Sequence, residues 1–233
     1  MIFIKFGSEC LKHEGKVDFR FHEQNAKEIE RGLEAVLVVS GSILLGKERE
    51  NDTRSNDQLT DVELQGYASV GQAMLIDELD KLYRRNVAQI QLSDDIIDNK
   101  QGYVKLIHHN LEKGRISVFN YNDTVDFNQV RLDNDTPGAR LACYSGADQY
   151  IILGRYDGFL DGQGELIERV HAVDDKIYSY CNGKSECGNG GFVTKLNAAE
   201  ICLGHGVDMR IANVEYDLAD ILSDAAPHTL FRK

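Results

Sequence analysis

VFNYNDTVDFNQVRLDNDTPGA, residues 118–139, reads as the end of a strand that opens into a long polar loop. The loop closes on Asp133-Asn134-Asp135 in front of Thr136-Pro137, where the pattern predicts a helix. Four aspartates (Asp123, Asp126, Asp133, Asp135) and four asparagines (Asn120, Asn122, Asn128, Asn134) fall within these 22 residues. A polar cluster between a strand and a helix is where open α/β sheets place ligands, at the carboxyl ends of strands. The same composition also describes a solvated acidic loop, so the flanking pattern has to decide.

On the amino-terminal side, residues 2–6 (IFIKF) form a first predicted strand that Gly7-Ser8 ends. A helix is expected over residues 23–31, with Gly32 as its C-cap. Residues 35–39 (AVLVV) make a continuous apolar run of the kind a parallel strand buried on both faces requires. Ser40-Gly41-Ser42 follows, so two successive strands finish in small residues. Residues 47–61 are polar without apolar periodicity and read as a mobile insertion or lid. Leu64, Ala68, Met74, Leu75, Leu79 and Leu82 recur at helical spacing across residues 62–85. Gly66 and Gly71 within that helix suggest close packing on another backbone. Residues 87–92 read as a strand, Ser93 as the N-cap of a helix over 94–111, and 115–119 as the strand entering the opening stretch.

Beyond it, a helix is expected over residues 136–145 with Pro137 at N1. A strand over 150–153 and a small hairpin over 156–168, with turns at Asp157-Gly158 and Asp161-Gly162, come next. The Gly-rich segment 185–191 precedes a helix over 192–203. A strand over 207–211, a short helix over 216–222 and a strand over 228–231 complete the chain. Alternating strands and helices predict an α/β fold, a three-layer αβα sandwich around a mainly parallel central sheet. Nothing reads as a linker or internal repeat, so residues 1–233 are expected to form one domain.

The chain has 233 residues, 42% hydrophobic and 27% charged, which suits a globular protein with a sizeable core. A net charge of −12 argues against nucleic acid or an anionic membrane as partner, since both require basic patches. It leaves room for an anionic small molecule held by a few local cations. No apolar run has the length of a membrane span and the opening MIFIKFG is short for a signal peptide, so a cytoplasmic location is expected. The five cysteines form no CxxC pair and are expected as reduced thiols; Cys181 and Cys187, flanking the Gly-rich segment, are the one candidate pair.

Three features carry chemistry. Gly7, Gly41 and Gly188-Asn189-Gly190-Gly191 are strand-to-helix loops whose bare backbones could cradle phosphates at helix N-termini. Lys5 precedes the first loop, and Lys195 lies one helical turn past the third. Two lysines beside glycine loops suit phosphoryl transfer, in which the transition state needs charge stabilisation and alignment more than a base.

At this point the chain resembles a known family. IKFGS, VVSGSILLG, SVGQAMLI, VFNYNDTV, LDNDTPGA, DGFL, GNGGFVTKLNAA and HTLF occur in the order seen in the glutamate 5-kinase group of the amino acid kinase family. The corresponding patterns there are VKxGSS, VSSGAIxxG, AVGQ, NENDxV, GDNDxLSA, TDxxGLY, GTGGMxTKLxAA and GTLF. The resemblance covers residues 2–231 and is specific as an ordered set. It implies the amino acid kinase (carbamate kinase-like) fold and, at this chain length, no C-terminal PUA domain.

It further implies transfer of the ATP γ-phosphoryl group, with Mg²⁺, to the side-chain carboxylate of glutamate, the first step of proline biosynthesis. Lys5 and Lys195 would contact the group in flight and Asp135 would hold both lysines. Gly7, Gly41, Gly190 and Gly191 would bind phosphate. Ser40, Asp123 and Asn134 would grip the amino acid, and Gly154 with Arg155 would lie at the nucleotide. A homo-oligomer, dimer or tetramer, is implied by analogy. The chain departs from the pattern at several positions. Gly154-Arg155 stands for Thr-Asp, Tyr121 for the Glu of NEND and Leu132 for the Gly before DND. Pro137-Gly138 stands for Leu-Ser, Phe192 for Met and Glu9 for the second Ser. These changes leave two alternatives open, a kinase for a different carboxylate and a non-catalytic nucleotide- or amino-acid-binding relative.

Overall fold

The computed structural model describes residues 1–13, 16–93, 98–124, 134–181 and 191–233. The centre of the molecule is strand β1 (Ile2–Phe6). A two-residue hairpin of β2 (Lys12–His13) and β3 (Lys16–Val17) and helix α1 (Arg20–Glu30) lead to β4 (Ala35–Val39). Helices α2 (Ser42–Arg49) and α3 (Asp61–Leu82) precede β5 (Val87–Leu92). Then α4 (Lys100–Glu112), β6 (Ile116–Tyr121), α5 (Asp135–Tyr144) and β7 (Gln149–Gly154) follow. The remainder comprises β8 (Arg169–Val170), α6 (Asp175–Ser179), α7 (Gly191–His205), β9 (Asp208–Asn213), α8 (Leu218–Leu222) and β10 (His228–Phe231).

Among the described residues, eight strands form one sheet in the order β5-β6-β4-β1-β7-β9-β10-β8. The strands from β5 to β9 run parallel, and β10 turns antiparallel on β9. Because strand side chains alternate, each central strand feeds two cores. Phe3, Val36, Val38, Tyr150 and Ile152 point into the core beneath α4, α5 and α7. Ile4, Phe6, Leu37, Val39, Ile151 and Leu153 point into the one beneath α1, α3 and α8. The result is the expected three-layer sandwich. No helix among the described residues is long and apolar enough to cross a membrane.

Several expectations change. The segment read as a lid begins as the last turn of α2, which the sequence pattern had not shown. Its polar residues form a fixed knot: Arg54 donates to Asp52 and to Glu63 (2.9 Å), and Tyr67 also donates to Asp52. Thr60 and Glu63 cap each other's backbone at the start of α3. The periodicity was obscured there because α2 packs by backbone contact. A Cβ on Gly71 would stand 1.8 Å from the Ser42 carbonyl oxygen, and one on Gly46 2.0 Å from that of Tyr67. Gly66, read the same way as Gly71, faces open space.

Helix α4 starts after Asn99, not Ser93, and residues 94–97 lie outside the described set. In α5, Asn134 is the N-cap, so Asp135 takes N1 and Pro137 moves to the third position. That shift seats Asp135, with its carboxylate, in the first turn of the helix. The bridge between Leu160 and Leu166 forms the expected small hairpin. Strand β8, helix α6 and the β2-β3 hairpin are too short to leave a periodic signature.

Candidate active site

Lys5 shares its face of β1 with Phe3, so its side chain turns toward α5 and α7 and is almost fully buried. Its Nζ lies 2.7 Å from Asp135 Oδ1. Lys195, in the second turn of α7, reaches the other oxygen, with Nζ 3.1 Å from Asp135 Oδ2. Thr194 Oγ1 donates to that same oxygen at 3.0 Å. Asp135 is 1% exposed. Burial alone would raise its carboxyl, but the ammonium groups of Lys5 and Lys195 outweigh burial and hold it at about 2. Tyr150 on β7 donates its hydroxyl to the Asp135 carbonyl (3.1 Å), fixing the start of α5 on the sheet.

The Lys5–Asp135–Lys195 group is therefore a buried arrangement with two cations to one anion. It lies at the carboxyl end of a parallel sheet, beside the first turns of α5 and α7. Helix N-termini carry partial positive charge, so the local field favours an anion. Removing Asp135 would take away the carboxylate that both buried ammonium groups contact, a change that costs about 3–5 kcal/mol where a buried pair is broken.

Asn134 organises a second group. Its Nδ2 donates to the Val39 carbonyl (3.0 Å), to Ser40 Oγ (2.8 Å) and to Asn120 Oδ1 (3.3 Å). Asn120 Nδ2 in turn donates to Gln72 Oε1 at 2.6 Å. A chain of buried amides thus runs from α3 through β6 to the N-cap of α5. It leaves Asn134 Oδ1 buried without a hydrogen-bond partner among the described residues. Ser42 Oγ donates to Asp123 Oδ2 at 2.9 Å, which ties the turn after β6 to the start of α2. Gly41 takes φ 125° at the N-cap of α2, a conformation that favours glycine.

The structure thus joins Lys5, Asp135 and Lys195 directly, Ser40 and Asn134 directly, and Asp123 to the residue after Gly41. Gly191, at φ 48°, opens α7; Gly190 and Cys187 lie outside the described residues, and Cys181 is a free thiol. The Gly7 amide donates to the Leu153 carbonyl (3.4 Å), so this glycine's part in the loop is its missing side chain. Arg155 departs from expectation. Strand parity turns it to the opposite side of β7 from Gly154. There its guanidinium lies 4.5 Å from the Phe21 ring centroid and donates to Glu215 (2.7 Å) and to the Lys12 carbonyl.

In its place, Tyr156 packs over Gly154 and meets Phe192, ring centroids 4.9 Å apart. Lys195 Nζ lies 5.6 Å from the Tyr156 centroid and 5.9 Å from that of Phe192. Thr194, Gln72, Asn120, Tyr150 and Tyr156 are site residues that the sequence reading did not single out. Gln72 carried two signals, the glutamine of the SVGQ stretch and its place on a helix face that the apolar spacing requires to be buried.

The profile described as the Amino acid kinase family matches residues 1–213. A glutamate 5-kinase of Caldanaerobacter subterraneus is 33% identical over 235 residues, covering 93% of this chain and 63% of that protein. One from Clostridium acetobutylicum is 33% identical over 251 residues, covering 98% and 92%. The chain thus spans under two thirds of some of its relatives and nearly all of others. Among solved structures, a UMP kinase from Ureaplasma parvum superposes with a TM-score of 0.67 at 13% identity, covering 100% of this chain and 98% of that one. That similarity establishes the shared fold.

Proposed function

The chain belongs to the amino acid kinase family, and on that premise we propose that it transfers the γ-phosphoryl group of ATP to the side-chain carboxylate of glutamate, yielding an acyl phosphate and ADP. One observation carries the reading: a single buried carboxylate, Asp135, holds two lysines from β1 and α7 at a sheet's carboxyl end. An acceptor carboxylate is ionised at neutral pH, so its oxygen attacks phosphorus without a general base while the bond to the ADP oxygen breaks. Lys5 and Lys195 offset the charge that develops on the transferring oxygens, and Asp135 fixes where both ammonium groups stand. When bound, Mg²⁺ supplies further charge neutralisation on the phosphates.

Asn134, Ser40 and Asp123 form the acceptor side. The unpartnered Asn134 Oδ1 and the Asp123 carboxylate suit an ammonium group, which favours an amino acid over a simple carboxylic acid. Tyr121, buried where the resemblance implies an acid, favours a second reading in which the acceptor is a different amino-acid carboxylate. Gly41 and Gly191 serve the phosphates as openings of α2 and α7, and Gly190 joins them on the resemblance. A homo-oligomer and a place in proline biosynthesis rest on the resemblance alone, while a single kinase domain over residues 1–233 and a cytoplasmic location are expectations from the sequence pattern.

The test measures ADP release across a panel of amino acids, with hydroxylamine trapping of the acyl phosphate. Glutamate is expected to give both ADP and the hydroxamate. Turnover with another amino acid alone would select the second reading, and no turnover with any carboxylate would refute both.

A further inference from the structure

Glu9 is a side chain for which the phosphoryl-transfer reading has no use. Lys5 shares its face of β1 with Phe3, and a side chain on Gly7 would project the same way. Glu9, two residues on, folds its carboxylate back over Gly7: Oε2 and Oε1 lie 2.2 and 2.4 Å from where a Cβ of residue 7 would stand. The missing side chain of Gly7 is what admits it. The carboxylate therefore stands on the Lys5 face, one step further toward the carboxyl end of the sheet. It is half-buried, and it has no hydrogen-bond or ion-pair partner among the described residues.

Among the described residues, the carboxylates of Asp135 and Asp123 are engaged, the first by two lysines and Thr194 and the second by Ser42. A half-buried carboxylate without a partner is unfavourable, and beside incoming phosphates it would also repel them. A divalent cation reverses that repulsion, because carboxylate and phosphate oxygens are both hard donors. Mg²⁺ is commonly held by one or two carboxylates together with substrate phosphates.

We propose that Glu9 is a protein ligand for the divalent cation carried by the nucleotide, so that the loop after β1 selects the metal–nucleotide complex over free nucleotide. The proposal rests on the kinase reading of the site and adds a metal ligand to it. Glu9 acts in two opposite senses: it weakens binding of metal-free phosphates and strengthens binding of metal-bound ones.

Calorimetric titration of ADP separates the two. It is run with Mg²⁺ and with EDTA, on the wild type and on Glu9→Gln and Glu9→Ser, each checked for folding by circular dichroism. The wild type is expected to bind ADP at least tenfold more tightly with Mg²⁺. In both variants that gain should shrink below threefold, with metal-free ADP bound more tightly than by the wild type. Electron paramagnetic resonance with Mn²⁺ and ADP should show protein-bound Mn²⁺ in the wild type and its loss in Glu9→Gln. Equal tightening with and without Mg²⁺ would make Glu9 a mere competitor of the phosphates and overturn the metal role. An unchanged Mg²⁺ gain would overturn it as well, while leaving the kinase reading in place. A wild type that binds ADP under neither condition would refute the kinase reading and the metal role together.

Discussion

Lys5 and Asp135 meet at 2.7 Å although one sits in the first strand and the other in the first turn of the fifth helix. The contact follows from two local facts. Strand parity turns Lys5 to the α5 side of the sheet, and Asn134 at the N-cap places Asp135 at the first helical position facing it. Lys195 then closes the group from α7.

Replacing Asp135 with Asn should lower kcat at least about 100-fold, because both ammonium groups lose their fixed position. The pH dependence has a definite sign. The Asp135 carboxyl is held at about 2 against an ordinary 3.8, so its stabilisation is present above about pH 4 and is lost as pH falls through 2. Urea denaturation of wild type and Asp135→Asn should show a stability gap that is flat from about pH 7 to 5 and narrows between about 4 and 2. A gap that widens on acidification would contradict the assignment.

Lys195→Met keeps a long unbranched side chain while removing the ammonium charge that lies over Tyr156 and Phe192. The expected outcome is a loss of about 10³-fold in kcat with the acceptor KM changed less than about threefold, as for a group that acts mainly in the transition state. Steady-state kinetics beside a thermal melt checks this. A mild effect on kcat in a folded variant would count against the lysine.

Gln72 is linked through Asn120 to Asn134, so on the proposed reading it is a positioning residue for the acceptor side. Gln72→Leu leaves the Asn120 amide without its acceptor, a loss of about 1–3 kcal/mol. The acceptor KM should rise about tenfold with a smaller change in kcat, since the Asn134 amide is free to turn. A fall in melting temperature with unchanged KM would reduce Gln72 to a purely structural part.

Two glycines of α3 should respond oppositely to alanine. At Gly71 the added methyl meets the Ser42 carbonyl oxygen at 1.8 Å and the Gly46 nitrogen at 2.6 Å. The helices must separate, at a cost of about 1–3 kcal/mol or more. At Gly66 nothing lies within 4 Å, and the better helix former should stabilise by up to about 1 kcal/mol. Chemical denaturation of the two variants is the measurement, and similar effects at both positions would contradict the observed crossing of α2 and α3.

Much of the sheet was legible because its signal is local. Residues 2–6 and 35–39 lie in strands β1 and β4 as read, since a strand buried on both faces has to be continuously apolar. Residues 87–92 form the edge strand β5, where Gln89 and Gln91 are exposed and Ile90 and Leu92 are buried, the alternation of a strand covered on one face. Helix α2 was legible only at its start, where Gly41 reads as a strand-to-helix loop; its extent was not, because Gly46 and Gly71 achieve its packing with backbone where periodicity looks for apolar side chains. Arg155 was placed at the nucleotide from its position in the chain, and strand parity with Phe21 and Glu215 draws it to the other face.

The order of the motifs and the apolar patterning, both properties of neighbouring residues, determined the family and the layered α/β architecture. They also marked Lys5, Asp135 and Lys195 as a set. Only the tertiary structure decided which oxygen of Asp135 each lysine meets, that Gln72 and Asn120 orient Asn134, and that Glu9 folds back onto the Lys5 side of β1. Those relationships join residues far apart in the chain, and they depend on which face each strand and helix turns toward the site.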